Sequence, residues 1–506
     1  MSFVTKLFAV TLLTITGGAQ APADDPPALA FSIATHDVTA KRYDWGDGFA
    51  DLQMDFGINL IAGRQPFEIR AHRDTYAEPI EAYQVTGATR TPLPDGLFTS
   101  FNGFKDFVDI TIAEPSGAVV KQYTSKWCPN SPLTVRIRPD APPTSPYPLN
   151  CGWAENPFAL GAVWGVQAGH NSPIESFPFV QADGTFFDLP LGSYRVTVRL
   201  AEKYRTWLGV PAADATVNLN LTVVPGDVGL RRKPAAKAGS EAGSKAGGHD
   251  HEGDATKQLS AYHPFLRPPA KIPAPLAEVP AGPRPDLRSL PAWDILLDDY
   301  DGRTSVTFAA TVWNAGTSPL LVDGFRRTGT DLMDAYQYFY DAAGNEVGVR
   351  PAGTMEWDPR EGHLHWHFTD FAQYNLLSAD KTLAVRSGKE AFCLANTDPV
   401  DYLLPNAAWK PPNNDLSMSC GQNTAVAVRE RLDIGSGDTY LQYLPGQSFD
   451  VTDVPNGTYW IEVKANPEGK LAELRTANNS SFRKIILGGT PGGERTLRVP
   501  SVHGLD

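Results

Sequence analysis

Three histidines, His363, His365 and His367, form the most specific chemical pattern in this sequence, His-x-His-x-His. The 506-residue chain contains only ten histidines, so chance rarely gives this triplet. On a β-strand, residues i, i+2 and i+4 share one face, so the three imidazoles point the same way while Leu364 and Trp366 face the other layer. The outer Cα atoms would lie about 13 Å apart, so the strand must bulge for the rings to converge. Imidazole binds copper, zinc, iron and nickel, so the pattern predicts a metal site without naming the metal.

Alternating apolar residues along most of the chain predict the elements that position this triplet. Runs of period two occur at 52–60, 133–137, 217–223 and 306–312, and Gly, Pro and Asp separate them. Many short strands with turn signals are typical of β-sandwiches, with one face buried and one face wet. The expected fold is therefore mainly β, with two β-sandwich-like domains joined by a disordered linker rich in Pro, Ala and Gly.

Composition divides the chain into five parts. Residues 1–23 resemble a secretory signal peptide, because a short apolar run precedes a small-x-small cleavage pattern. The other expected boundaries are 24–225 for an N-terminal sandwich, 226–285 for the linker, 286–489 for a second domain and 490–506 for a loose tail. No segment beyond the N-terminus is apolar enough to span a membrane. We therefore expect a secreted protein, extracellular or at the cell envelope.

The cysteines and the net charge narrow the class of protein further. Four cysteines in a secreted chain suggest two disulfides, and position favours the local pairs Cys128–Cys151 and Cys393–Cys420. Three connectivities are open on sequence alone. The formal net charge of -13 makes a nucleic-acid partner unfavourable, because phosphate binding needs a basic face.

A short pattern occurs once near the end of each predicted domain. In both copies a Pro-containing turn delivers a tyrosine, Tyr194 or Tyr459, into an alternating strand. We interpret this echo as a common solution at the edge of a sandwich rather than as gene duplication.

The second domain resembles the lysyl oxidase family, the copper- and quinone-dependent amine oxidases, over about residues 287–481. Five short motifs carry the resemblance in the right order. They are 314–318 (Asn-Ala-Gly-Thr-Ser), the histidine triplet, 388–394 (Gly-Lys-Glu-Ala-Phe-Cys-Leu), 438–440 (Asp-Thr-Tyr) and 450–455 (Asp-Val-Thr-Asp-Val-Pro).

The resemblance implies a specific chemistry. The three histidines would hold copper, and Lys389 and Tyr440 would be joined into lysyl tyrosylquinone, a cofactor made from the chain's own side chains. The implied activity converts peptidyl-lysine ε-amines to aldehydes with release of ammonia and hydrogen peroxide. The implied partners are a lysine-containing protein or amine substrate and molecular oxygen.

The sequence also departs from the family. Gln373 lies where animal members place a histidine proposed as the proton-abstracting base, which leaves Asp370 and Asp438 as candidates. Glu473, Asn478 and Asn479 resemble a family calcium site, but Arg475 replaces an acidic ligand.

Two other classes of function stay open at this point. One is a metal-binding adhesion or interaction module without oxidase activity. The other is a zinc hydrolase, which the absence of a His-Glu-x-x-His motif disfavours.

The N-terminal sandwich contains no cluster of residues that suggests chemistry. Because a flexible linker would tether it to the second domain, we expect it to bind the substrate or the cell envelope, an expectation that rests on architecture alone.

Overall fold

The computed structural model describes residues 29–46, 49–152, 156–175, 187–227, 275–360, 364–369, 371–386, 391–411 and 420–502. The expected signal peptide and most of the expected linker lie outside these residues. Three site residues, His363, Asp370 and Lys389, also lie outside them. The described part is almost entirely β, which confirms the predicted fold class. No helix in it is long and apolar enough to cross a membrane.

The N-terminal domain consists of short strands and one short helix. In chain order the elements are β1 (Leu29–Ile33), β2 (Asp37–Gly46), β3 (Phe49–Gln53), β4 (Ile58–Ala62), β5 (Phe67–His72), β6 (Glu81–Thr86), β7 (Thr89–Pro92), β8 (Phe104–Ala113), β9 (Val119–Trp127), β10 (Gly161–Val166), β11 (Asn171–Pro173), β12 (Gly192–Leu200), α1 (Glu202–Leu208) and β13 (Thr216–Pro225).

Three sheets enclose the core of this domain. Their strand orders are β1-β4-β11, β10-β5-β6-β7 and β3-β2-β13-β12-β8-β9, and the pairing is antiparallel except between β2 and β13. Alternation explains the layering, because strands such as β4 and β5 bury every second side chain completely. A disulfide joins Cys128 to Cys151, the local pair that the sequence favours.

The C-terminal domain has longer strands. In chain order they are β14 (Leu287–Ser289), β15 (Trp293–Tyr300), β16 (Arg303–Asn314), β17 (Leu320–Arg326), β18 (Leu332–Tyr340), β19 (Glu346–Asp358), β20 (His365–Thr369), β21 (Ala372–Ser378), β22 (Leu383–Arg386), β23 (Ala391–Phe392), β24 (Asp398–Pro399), β25 (Ala427–Leu432), β26 (Ser436–Tyr440), β27 (Ser448–Asp450), β28 (Gly457–Ala465), β29 (Ser480–Gly489) and β30 (Arg495–Arg498).

Three antiparallel sheets form this second domain. One has the order β14-β16-β26-β24, with β15 and β27 also pairing with β16; the others are β23-β20-β19-β18-β17-β25 and β22-β21-β28-β29-β30. Their inner faces share one apolar core that includes Trp366, Phe368, Phe392 and Tyr440. The site residues therefore come from two different sheets that meet in this core.

Tyr194 and Tyr459 form the same local structure in the two domains. Each phenol donates a hydrogen bond of 2.8 Å to a proline carbonyl four residues earlier, at Pro190 and Pro455. This is the arrangement of a tyrosine corner, which fixes the entry of the chain into an edge of a sandwich.

Three sequence expectations differ from the structure. Leu133, Val135 and Ile137 alternate but are exposed, and their segment forms only an isolated bridge between Arg136 and His170, because periodicity alone does not determine whether a segment is covered by the core. Residues 495–498, assigned to a loose tail by composition, pair with β29 as β30. Pro275 and Leu276 lie in the expected linker, but Pro275 forms a parallel bridge with Val349 of β19 and the N–H of Leu276 donates to the carbonyl of Val349.

The two domains are in direct contact. The N–H of Leu160 donates to the carbonyl of Val400, and the N–H of Tyr402 donates to the carbonyl of Gly161. The expectation of an N-terminal domain held only by a tether therefore differs from the structure, because apolar residues of both domains bury one another at this contact.

Candidate functional site

Two histidines of the triplet lie side by side at the start of β20. His365 and His367 are both buried, and their ring centroids are 4.7 Å apart. The strand begins only at His365, because Leu364 has a φ of +45° and leaves the extended conformation. Leu364 is 55% exposed, so the expectation that it faces the other layer is wrong, whereas Trp366 is fully buried. This bend lies immediately after His363, where the sequence requires the strand to bulge.

Asp358 holds one of these rings in place. It lies opposite His365 on the neighbouring strand β19, and its Oδ2 is 3.3 Å from Nδ1 of His367. A carboxylate at Nδ1 favours the tautomer in which Nε2 is the nitrogen available to a metal. Arg360 bonds the same carboxylate, which raises the pKa of its guanidinium.

Sequence reasoning missed Asp358, although a signal was present. Asp358 ends one strand and His365 begins the next after a short connection, and the two strands are antiparallel neighbours. Such a hairpin places the last residue of the first strand beside the first residue of the second.

A disulfide joins the histidine strand to the segment that contacts Tyr440. Cys393 is bonded to Cys420, and the carbonyl of Cys420 accepts a hydrogen bond of 3.0 Å from the N–H of Trp366. On the same side, Phe368 of β20 pairs with Phe392 of β23. These links attach residues 391–393 directly to β20.

Tyr440 lies against this segment in the core. The Cys393 N–H donates to the phenol oxygen at 2.9 Å, and the Cys393 carbonyl is 3.1 Å from the same oxygen. The rings of Phe392 and Tyr440 pack edge to face with centroids 5.1 Å apart. The phenol oxygen of Tyr440 therefore contacts Cys393, the residue after Phe392. Phe392 pairs with Phe368 of β20, which directly follows His367.

Burial controls the ionisation of Tyr440. It raises the pKa of the phenol well above its ordinary value, and the nearby Asp438 charge raises it further. The hydrogen bond from Cys393 acts in the opposite direction. The phenol is therefore protonated at neutral pH.

Of the two candidate bases, Asp370 and Asp438, only Asp438 lies within the described residues. It lies two residues before Tyr440 on β26 and so on the same face of that strand.

Gln373, at the position of the family's proposed base, is buried on β21, where its neighbour Tyr374 faces the aromatic ring of Phe392. Adjacent strand residues face opposite sides, so Gln373 points away from that aromatic cluster.

Glu430 is a second residue that the sequence analysis did not identify. It is fully buried on β25, and its Oε2 accepts a hydrogen bond of 2.9 Å from the N–H of Leu394. Burial raises the pKa of its carboxyl well above the ordinary value, and the charge of Asp438 adds to this effect. Its position between Val428 and Leu432, both apolar and both two residues away, was the available signal that Glu430 shares their buried face.

The residues of the expected calcium site are engaged with one another. Glu473 Oε1 accepts bonds from Asn466 and Asn479, and its Oε2 accepts from the N–H of Leu287. Asn478 donates to Asp286. Nothing in this network supports calcium, and the bonds tie the end of β28 to β14.

The donor set fits a metal that accepts imidazole. Within the described residues, no group of three or more His, Cys, Asp or Glu side chains is arranged to hold a metal ion, and His363 falls outside them. The described part nevertheless provides two buried imidazoles on one strand, and a carboxylate orients one of them. Copper and zinc both suit such ligands.

Comparison with known proteins relates this domain to lysyl oxidases. Residues 340–491 match the family model described as lysyl oxidase. Protein-lysine 6-oxidase from Rattus norvegicus is 29% identical over 183 residues, 36% of this chain and 34% of that protein. The protein of the same name from Sus scrofa is also 29% identical over 183 residues, which cover 56% of its length. Lysyl oxidase homolog 3B from Danio rerio is 29% identical over 130 residues, 26% of this chain and 14% of that protein.

Fold and site together define a mainly β protein with two buried histidines side by side on one strand. The C-terminal domain carries the match to the lysyl oxidase family model, and the relatives named above are similar to this chain. The chain spans between 14% and 56% of the length of the relatives named above.

Proposed function

We propose that the C-terminal domain is a copper-dependent amine oxidase that acts on peptidyl lysine. The balanced reaction converts a primary ammonium, oxygen and water into an aldehyde, an ammonium ion and hydrogen peroxide. One observation carries the proposal. A pair of buried strand histidines is linked through β23 to a buried tyrosine, in a domain that matches the lysyl oxidase family.

His363, His365 and His367 would hold the copper, and Lys389 and Tyr440 would provide lysyl tyrosylquinone. Bound copper would supply the oxidation of the Tyr440 phenol by oxygen, and the quinone would accept the two electrons of amine oxidation. Lys389 lies two residues before β23, and β23 is followed by the segment that bonds the phenol of Tyr440. This short separation supports the pairing.

The surrounding residues would orient these groups and exclude water. Asp358 would fix the ring of His367 so that Nε2 faces the metal, and the buried aromatic rings around Tyr440 would keep solvent from the oxidised phenol. Asp438, on the face of β26 that carries Tyr440, is our proposed acceptor of the substrate proton.

Secretion belongs to the same proposal. Disulfides persist in oxidising compartments, and the described part contains two of them and no free cysteine. The first residues, which resemble a signal peptide, support the same location.

Copper loading followed by three assays tests the function. We expect quinone staining, a Lys389–Tyr440 crosslink in the intact mass, and hydrogen peroxide release from a lysine-rich protein. Tyr440→Phe and Lys389→Arg should abolish all three while still binding copper. Tyr338→Phe, a buried tyrosine of another strand, and Lys381→Arg are the matched controls. Copper binding without any of the three signals would instead favour a metal-binding interaction module.

A further inference from the structure

The N-terminal domain contributes backbone to the C-terminal domain close to the Tyr440 strand. Gly161, at the start of β10, forms a parallel bridge with Asp401, and the amides of Leu160 and Gly161 both donate to the carbonyl of Val400. Val400 follows β24, which pairs with β26. The contact therefore lies one strand away from the strand that carries Tyr440.

Phe158 anchors this contact. It is fully buried, although it belongs to the N-terminal domain, and most of its apolar neighbours belong to the C-terminal one. We call these the interdomain apolar cluster: Phe158, Leu290, Trp293, Ala309, Trp313, Val400 and Leu441. Trp313 is on β16, the direct neighbour of β26, and Leu441 follows Tyr440.

A chain of buried hydrogen bonds continues from the N-terminal domain into β26. Asn156 Nδ2 donates to Thr311 Oγ1 at 3.3 Å, and that hydroxyl is 2.8 Å from the hydroxyl of Thr439. Thr439 donates in turn to Asp398 of β24. Thr439 is the residue before Tyr440, so its side chain lies on the opposite face of the strand.

A second contact holds the domains on another side. Tyr147 and Val163 pack with Tyr402 and the partly buried Trp409, and the guanidinium of Arg70 lies 5.6 Å from the Trp409 ring. Two separate contacts restrict rotation of one domain against the other.

We propose that the N-terminal domain positions the strand that carries Tyr440, with Asn156 and Phe158 as the positioning residues. The N-terminal domain contacts β16 and β26 on one face of their sheet, while the phenol of Tyr440 points into the core from the opposite face. This assigns the N-terminal domain an internal role in building the site instead of a tethered binding role. The proposal rests on the proposed function only for what Tyr440 does chemically.

Hydrogen exchange on copper-free full-length protein tests the positioning directly. We expect Phe158→Ala and Asn156→Ala to increase exchange at residues 436–441 by tenfold or more. Exchange at β8, in the core of the N-terminal domain, should stay unchanged, which separates positioning from unfolding. Leu133→Ala, at an exposed leucine of the same domain, is the matched control. Equal exchange at 436–441 in Phe158→Ala and in the control would overturn the proposal.

A cut chain provides a second test that needs no catalysis. A protease site introduced between residues 228 and 274 allows cleavage after folding. The two parts should elute together on a sizing column, and Phe158→Ala should release them. If the two parts of the cleaved protein that retains Phe158 separate on the column, the proposal would also be overturned.

The copper-loaded variants separate this inference from the proposed function. Phe158→Ala should form less Lys389–Tyr440 crosslink by intact mass than Leu133→Ala does. A wild type that forms no crosslink at all, with the exchange results as expected, would reject the oxidase function and leave the positioning intact.

Discussion

At the scale of residues, Glu430 is a carboxyl whose ionisation opposes folding. It is buried beside the Tyr440 core, and its pKa in the folded state is raised by burial. The unfolded chain ionises it near its ordinary pKa of about 4.3. Above that pH the folded state binds more protons than the unfolded state, so the free energy of unfolding falls as pH rises, by about 1.4 kcal/mol per unit.

Glu430→Gln should remove this pH dependence. Relative to wild type, the variant should become more stable as pH rises above about 4.3, because the amide retains a hydrogen-bond acceptor for Leu394 without a charge to bury. Denaturant unfolding between pH 4 and 8 measures the difference. Glu468→Gln, at an exposed position, is the control, and a difference that stays constant with pH for Glu430→Gln would contradict the prediction.

Asp358 should determine how tightly the histidines bind copper. Asp358→Ala removes the acceptor at Nδ1 of His367, so we expect about 10- to 100-fold weaker copper binding. Competition with a chelator measures the affinity. Asp334→Asn changes a half-buried carboxylate of the same sheet and should leave the copper affinity unchanged. Equal affinities for the two variants would show that Asp358 does not support the metal site.

At the scale of elements, the two disulfides provide a matched pair. They close loops of similar length, with separations of 23 and 27 residues, so removal of either should cost about 3 kcal/mol of unfolding free energy. Of these two disulfides, Cys393–Cys420 is the one that connects residues beside Tyr440 to the histidine strand.

The double alanine variants should therefore differ in function rather than in stability. The variant at 393 and 420 should lose quinone yield, whereas the variant at 128 and 151 should keep it. Denaturant unfolding and quinone staining of copper-loaded protein measure the two properties. Equal quinone yields from the two variants would mean that the disulfide does not organise the site.

The tyrosine corners should contribute equally to their domains. Tyr194→Phe and Tyr459→Phe each remove one hydrogen bond to a carbonyl, so each should cost about 1 kcal/mol. Tyr300→Phe, at a tyrosine that is 81% exposed, should change stability by less than about 0.5 kcal/mol. Thermal and denaturant unfolding measure all three, and a loss as large in Tyr300→Phe would remove the special role of the corners.

At the scale of the whole molecule, the interdomain apolar cluster couples the folding of the two domains. Because Phe158 is buried by residues of the other domain, neither domain keeps its full core alone. We expect one calorimetric transition for wild type and two for Phe158→Ala. Two well-separated transitions in wild type would mean that the domains fold independently.

The sequence by itself determined the β class, the tyrosine corners and the lysyl oxidase resemblance. Each depends on information that is local along the chain: alternation of period two, a turn before a tyrosine, and short motifs in a fixed order. The same locality explains the error at Leu133, because alternation does not reveal whether the apolar face of a segment will be covered by other elements.

Only the tertiary structure decided which distant groups meet around the histidines. Asp358 reaches the site through strand pairing and Glu430 through a buried hydrogen bond, and Phe158 reaches its neighbourhood from another domain. Strand pairing and apolar burial join residues that can be hundreds of positions apart. Hydrogen-bond register and packing, rather than spacing along the chain, select those partners.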